Sequence, residues 1–219
     1  SKIWDTRQKE ETDMLFNILA LFSTILIIAL LKRLVNIFPS LAACMVRWKE
    51  SLNLEASVKH SLDRDMLAAA MIIPFCLTVA KFGLYSPAFL GGMNENGRTA
   101  VIIGIFLVYC GIRQMMSMIV KTHKMASKTS KAAERSSFTF FIILTLVLIL
   151  TGWTLSFLDV GIEAIRNAML WISAFIYAVY ILRKTQIFVS GCSIFAAFLY
   201  LCALEFLPTG ALVASALIF

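Results

Sequence analysis

Phe188 to Pro208 reads FVSGCSIFAAFLYLCALEFLP, a stretch of twenty-one residues with one charged side chain, Glu205, three positions before a proline. A run of that length, at 1.5 Å per helical residue, matches the roughly 30 Å hydrocarbon layer of a bilayer. It therefore reads as a membrane-spanning helix whose carboxylate needs a partner. The rest of the chain has to supply similar spans, and one of them the answer to Glu205.

The composition agrees. Of the 219 residues 60% are hydrophobic and only 15% are charged, whereas soluble domains are about half apolar and a quarter charged. Apolar runs near twenty residues fit helices, because barrel strands would alternate over segments about half as long. The expected fold is an all-α integral membrane bundle of about six transmembrane helices in a single domain over 1–219. The spans fall near 14–31, 66–83, 99–120, 137–157, 165–182 and 187–207, with an interfacial amphipathic segment after the first.

The uncertain stretch is LVNIFPSLAACMV, Leu34 to Val46. It is too short to cross unless tilted or joined to a neighbour, and Pro39 interrupts it. A segment lying in the interface or dipping partway in is the favoured reading; crossing, re-entering and lying flat all remain open. In the polar stretch that follows, Leu54, Val58 and Leu62 recur at i, i+4 and i+8, as on a charged helix resting at the membrane surface. Pro74 removes a backbone donor from the second span and frees the carbonyl of Ala70, predicting a kink and a candidate hinge; Pro208 is a second candidate hinge. The tail TGALVASALIF either extends the last helix past Pro208 or turns back along the interface.

Orientation follows Lys and Arg in short connections. One side receives Lys32, Arg33, Arg47, Lys49, Lys59, Arg64, the run from Lys121 to Arg135, Arg183 and Lys184. The other receives only Lys2, Arg7, Lys9, Arg98 and Arg166, so both termini are expected outside. Lys121, Lys124, Lys128, Lys131 and Arg135 are candidate contacts for anionic lipid on the cytoplasmic side, worth on the order of 1 kcal/mol each near the surface. No aromatic or fold motif accompanies the net charge of +7, so nucleic acid is not an expected partner.

Charged groups inside the bilayer are costly and should face protein or water. With the sixth span ending near Leu207, Glu205 sits at the outer end, level with Lys81 at the end of the second. A Lys81–Glu205 contact is expected, or both facing one outward cavity, with Tyr85 able to join them. Arg113, roughly 10 Å from the inner end of its span at 1.5 Å per residue and away from Glu205, is expected to snorkel toward the cytoplasmic headgroups, bind helix-terminal carbonyls or pair structurally, with a ligand or ion role as the alternative. Gly152 and Ser156, Ser193 and Ala197, and Gly210 and Ala214 have the small-xxx-small spacing that lets helices approach.

The usual catalytic constellations, H-E-x-x-H, G-x-S-x-G and a nucleotide loop, do not occur, so no enzyme site is expected. The five cysteines form no C-x-x-C pair and the two histidines do not cluster, so no cofactor and no metal are expected. Phe198 to Pro208, FLYLCALEFLP, resembles the closing motif of a family of uncharacterised bacterial multi-pass inner-membrane proteins, a domain of unknown function ending in Tyr-Leu-Cys-x-Leu-Glu-x-x-Pro. The resemblance implies a bacterial cytoplasmic membrane and carries no established activity. The leading expectation is a non-enzymatic scaffold or accessory subunit of an envelope complex, with membrane-protein partners or self-association. The alternative is a small channel or transporter using Lys81, Arg113 and Glu205.

Overall fold

The computed structural model describes residues 14–120 and 125–219. Among them the secondary structure is helical, with no strand. Six helical stretches are long and apolar enough to cross a membrane: Met14–Val46, Val58–Phe82, Glu95–Ile119, Ser127–Phe157, Ile162–Gly191 and Ile194–Ile218. The chain is an all-α, multi-pass membrane protein whose outer surface contacts lipid. The helices are α1 (Met14–Val46), α2 (Trp48–Ala56), α3 (Val58–Ala70), α4 (Ile72–Phe82), α5 (Glu95–Ile119), α6 (Ser127–Phe157), α7 (Ile162–Gly191), α8 (Ile194–Leu201) and α9 (Leu207–Ile218). One π-helical turn, Cys202–Phe206, joins α8 to α9.

Leu34 to Val46 is not a separate interfacial segment. It continues α1, which runs unbroken through Pro39. The reason is packing: Leu34, Ile37, Leu41 and Cys44 recur at spacings of three and four and are buried. Leu34, Ile37 and Leu41 form one core with Leu54, Leu67, Met71 and Ile142. A continuous buried stripe outweighs the one donor a proline withholds, which transmembrane helices tolerate.

The polar stretch after it also departs from the expected surface helix. Ser57 takes extended angles and accepts from the His60 N–H, ending α2 and capping α3. That break splits the stripe: Leu54 enters the core, while Val58 and Leu62 stay exposed. The expected Pro74 kink has a counterpart at Met71, between α3 and α4. There the proline ring meets the turn ending at Ala70.

The last two spans are displaced along the sequence. Arg183 and Lys184 do not end the fifth span, because α7 continues to Gly191. Cys192 is then fully extended, and the Ser193 side chain accepts from the Ala196 N–H as an N-cap. The sixth span thus begins at Ile194 and extends past Pro208 to Ile218. Glu205 moves from the expected end of the span to its middle, roughly 20 Å of helix from Ile218.

The two ends of the bundle differ chemically. A basic end gathers the C-terminus of α1, α2, the start of α3, the start of α6 and the end of α7. The opposite end holds the 83–94 connection, where the Phe89 N–H donates to the Phe219 carbonyl and Arg166 donates to the Phe82 carbonyl. Near it Phe82, Leu148, Ile165 and Met169 pack as one core. Gly152 admits this core: a Cβ there would lie 2.8 Å from the Phe82 ring and 3.2 Å from Met169. At Gly210, by contrast, an added Cβ would meet nothing within 4 Å, so the glycine serves no close helix contact among the described residues.

Candidate functional site

Four segments converge on Glu205. On α5, Tyr109 and Arg113 are one turn apart; on α7, so are Tyr180 and Lys184; Glu205 and Thr209 stand on the π turn and α9. Spacing of four places each pair on one helix face. Arg113 donates from both terminal nitrogens to the carboxylate, 2.7 Å to Oε2 and 2.8 Å to Oε1. Tyr180 donates to Oε1 at 2.6 Å, and Lys184 donates to the same oxygen. Tyr180 in turn accepts from Arg113 and Lys184, both at 3.1 Å. Tyr109 accepts from Arg113 at 3.1 Å and bonds Thr209 at 2.9 Å.

These positions correct the expected pairing. Glu205 is fully buried and bound to Arg113 and Lys184. Lys81 is exposed beside the Phe82 ring, and Tyr85 bonds Ser215 at 2.8 Å. The cause is the displaced sixth span: with Glu205 at mid-height, Lys81 at the far end of α4 is out of reach. Arg113, expected to snorkel, turns inward because a buried carboxylate at its own depth offers a bidentate, charge-assisted pair.

The π turn contributes. The Leu207 N–H reaches back five residues to the Cys202 carbonyl, and Pro208 has no donor to restore α-helical bonding behind it. A single π turn re-aims side chains and is frequent at functional sites. Here it sets Glu205 between α5 and α7.

The network borders a cavity of about 870 Å³. Its deep half is walled by Phe75, Phe106, Phe141, Leu144, Ile176 and Leu212. Phe75, Phe106 and Phe141 touch one another with ring centroids 5.1 to 5.5 Å apart. Beyond them, toward the opposite end, the bundle is filled by its packed cores. The shallow half carries Arg113, Gln114, Glu134, Tyr177, Tyr180 and Lys184, and the cavity extends at the basic end to Asp65, Ser127, Ser130, Lys131 and Arg135. Cavities of this size and mixed lining suit small-molecule ligands.

Charge is unevenly placed. Arg135 pairs with Asp65 at 2.9 Å, and Glu205 serves both Arg113 and Lys184. Glu134 lies near enough to Lys184 to interact with it electrostatically. Lys128 and Lys131 are exposed, while Lys121 and Lys124 lie outside the described residues. Among the described residues no group of three His, Cys, Asp or Glu side chains is placed to hold a metal ion.

No family model, curated protein or solved structure matches the chain.

Of the residues singled out in the sequence, the structure joins Arg113 and Glu205 and leaves Lys81 and Tyr85 elsewhere. It adds Tyr109, Tyr180, Lys184 and Thr209. A sequence signal for Lys184 exists: Ile176, Tyr180, Lys184 and Ile187 recur at helical spacing, which places the lysine on the buried face of α7. Ser193, a good N-cap residue, marks where the last span starts.

Proposed function

We propose that this chain is a membrane-embedded binding protein or small transporter, with its ligand held in the cavity beside Arg113 and Glu205. One observation carries the reading: the cavity runs from the basic end into the middle of the bundle and reaches a buried cluster with two cations and one carboxylate. The scaffold favoured by the sequence calls for a dry helix interior. Lys81 takes no part, since it does not line the cavity. In native mass spectrometry the protein is expected to be released without protein partners and to carry a small-molecule adduct that Arg113→Gln removes. Release only within a stable complex of other membrane proteins, with no adduct, would return the reading to the scaffold.

The same proposal sets the cavity mouth on the cytoplasmic side of a bacterial inner membrane, with both termini outside and anionic lipid at Lys128, Lys131 and Arg135. Its support is the concentration of Lys and Arg at one end of the bundle and the Tyr200–Pro208 resemblance. Single cysteines placed at Ser1 and Ser130, with the native cysteines replaced, should react differently in intact cells: the first with an impermeant maleimide, the second only after permeabilisation. Equal labelling sinks the orientation.

A further inference from the structure

Resting on the cavity as a binding site, we propose that its ligand is an anionic amphiphile, an alkyl phosphate or a fatty acid. The apolar chain lies in the deep half and the headgroup faces Arg113. Three observations lead there.

The first is charge. Around the shallow half stand Arg113, Lys131, Arg135 and Lys184 against Asp65, Glu134 and Glu205, an excess of one cation. The excess sits at the exposed Lys131, at the basic mouth, where it draws anions toward the cavity. Lys184 is sealed in, with only 4% of its side chain exposed, whereas Arg113 keeps 18%. Arg113 is therefore the buried cation a ligand can reach.

The second is donor capacity. The terminal nitrogens of Arg113 are committed to Glu205, Tyr109 and Tyr180, which leaves its Nε–H without a partner among the described residues. The Tyr177 hydroxyl, also on the cavity wall, is buried and has no hydrogen bond of ordinary geometry, although it lies close to Thr209. Buried polar groups are seldom left unmade. An oxyanion held at Arg113 on this wall would offer the Tyr177 hydroxyl a partner.

The third is the polarity gradient. Phe106 lies seven residues deeper than Arg113, roughly 10 Å along α5, and from there the wall is aromatic and aliphatic. A small hydrophilic anion would leave that half of the cavity to water against phenyl rings. An alkyl chain fills it and gains from every methylene removed from water. The ligand therefore enters chain first.

The test uses the whole protein in phosphatidylcholine nanodiscs, with binding read as a shift in thermal unfolding and as an adduct mass. The probes are decyl phosphate, decanol, inorganic phosphate, and nanodiscs made with phosphatidic acid in place of added ligand. Decyl phosphate is expected to bind saturably. Arg113→Gln should weaken it about tenfold or more, the scale of one charge-assisted pair, and Leu144→Trp, which fills the apolar wall and replaces no charged or hydroxyl group, should weaken it comparably. An equal response to phosphatidic acid assigns the headgroup to a bilayer lipid; a response to decyl phosphate alone assigns it to a free amphiphile, and both sustain the proposal. Binding of inorganic phosphate as tight as that of decyl phosphate overturns the amphiphile and leaves a binding site for small anions. Equal binding of decanol overturns the role of Arg113. Silence of all four probes in the wild-type protein overturns this inference, while the binding-site reading falls only if the native protein also carries no adduct. If Arg113→Gln fails to fold, unchanged binding in Leu144→Trp overturns the proposal by itself.

Discussion

Glu205→Gln is expected to destabilise the protein by about 3 to 5 kcal/mol, the scale of breaking a buried ion pair. The carboxylate is fully buried and accepts from Arg113 twice, from Tyr180 and from Lys184. A glutamine keeps the shape but neutralises the anion that contacts both Arg113 and Lys184. Its amide nitrogen also confronts donors where an acceptor stood. Lys184, with 4% of its side chain exposed, can neither reach water nor find another contacting carboxylate. Unfolding in mild detergent, followed by helical circular dichroism against denaturant, measures the loss. The double variant Glu205→Gln with Lys184→Met should recover a good part of it, because one of the stranded cations is gone. A single variant within about 0.5 kcal/mol of the wild type, the scale of a neutral surface change, or a double variant no better than the single, would show that the cluster carries no such coupling.

Arg64→Ala should cost about 2 to 4 kcal/mol, for the same physical reason at the other boundary of the bundle. Arg64 is one of the largest fully buried side chains, 1% exposed. It donates to Glu55 at 2.9 Å, to Asp65 at 2.8 and 3.0 Å, and to Ser61 at 3.2 Å. Asp65 passes the connection on to Arg135 at 2.9 Å. One guanidinium thus ties α2, α3 and the start of α6, beside the mouth of the cavity. Truncation leaves Glu55, 13% exposed, facing empty space. The partial exposure of both carboxylates keeps the cost below that at Glu205. Arg64→Lys should fall between, since a lysine offers one point charge where a planar fork made separate bonds. A lysine variant as stable as the wild type would remove the fork from the explanation. If the cavity binds its ligand at this mouth, Arg64→Ala should also weaken the ligand-induced thermal shift.

The residues that mislead a linear reading are those whose role depends on a neighbouring helix. Arg183 and Lys184 form a dipeptide that looks like the end of a span, yet they diverge: Arg183 donates to the Met45 carbonyl at the basic end, while Lys184 turns into the core. Arg64 reads as one more basic residue of a polar connection, and its burial follows only from α2 folding back on α3. Leu34 to Val46 looks too short to cross, and becomes helix because its stripe meets Leu67, Met71 and Ile142. Each error is local in cause. The hydrophobic pattern locates apolar segments and leaves open where, within a longer apolar region, one helix stops and the next begins.

That one boundary, at Cys192 and Ser193, decides the site. The sequence by itself determined the class, because apolar runs of this length have no other stable arrangement in a bilayer than helices with their backbone groups satisfied internally. It also determined that Glu205 and Arg113 need partners, since the cost of an intramembrane charge is independent of fold. Who partners whom was left to the tertiary structure. Pairing depends on the depth of each group and the face it turns, and both changed when the last span began at Ile194 and the π turn at Cys202–Phe206 re-aimed Glu205 toward Arg113 and Lys184.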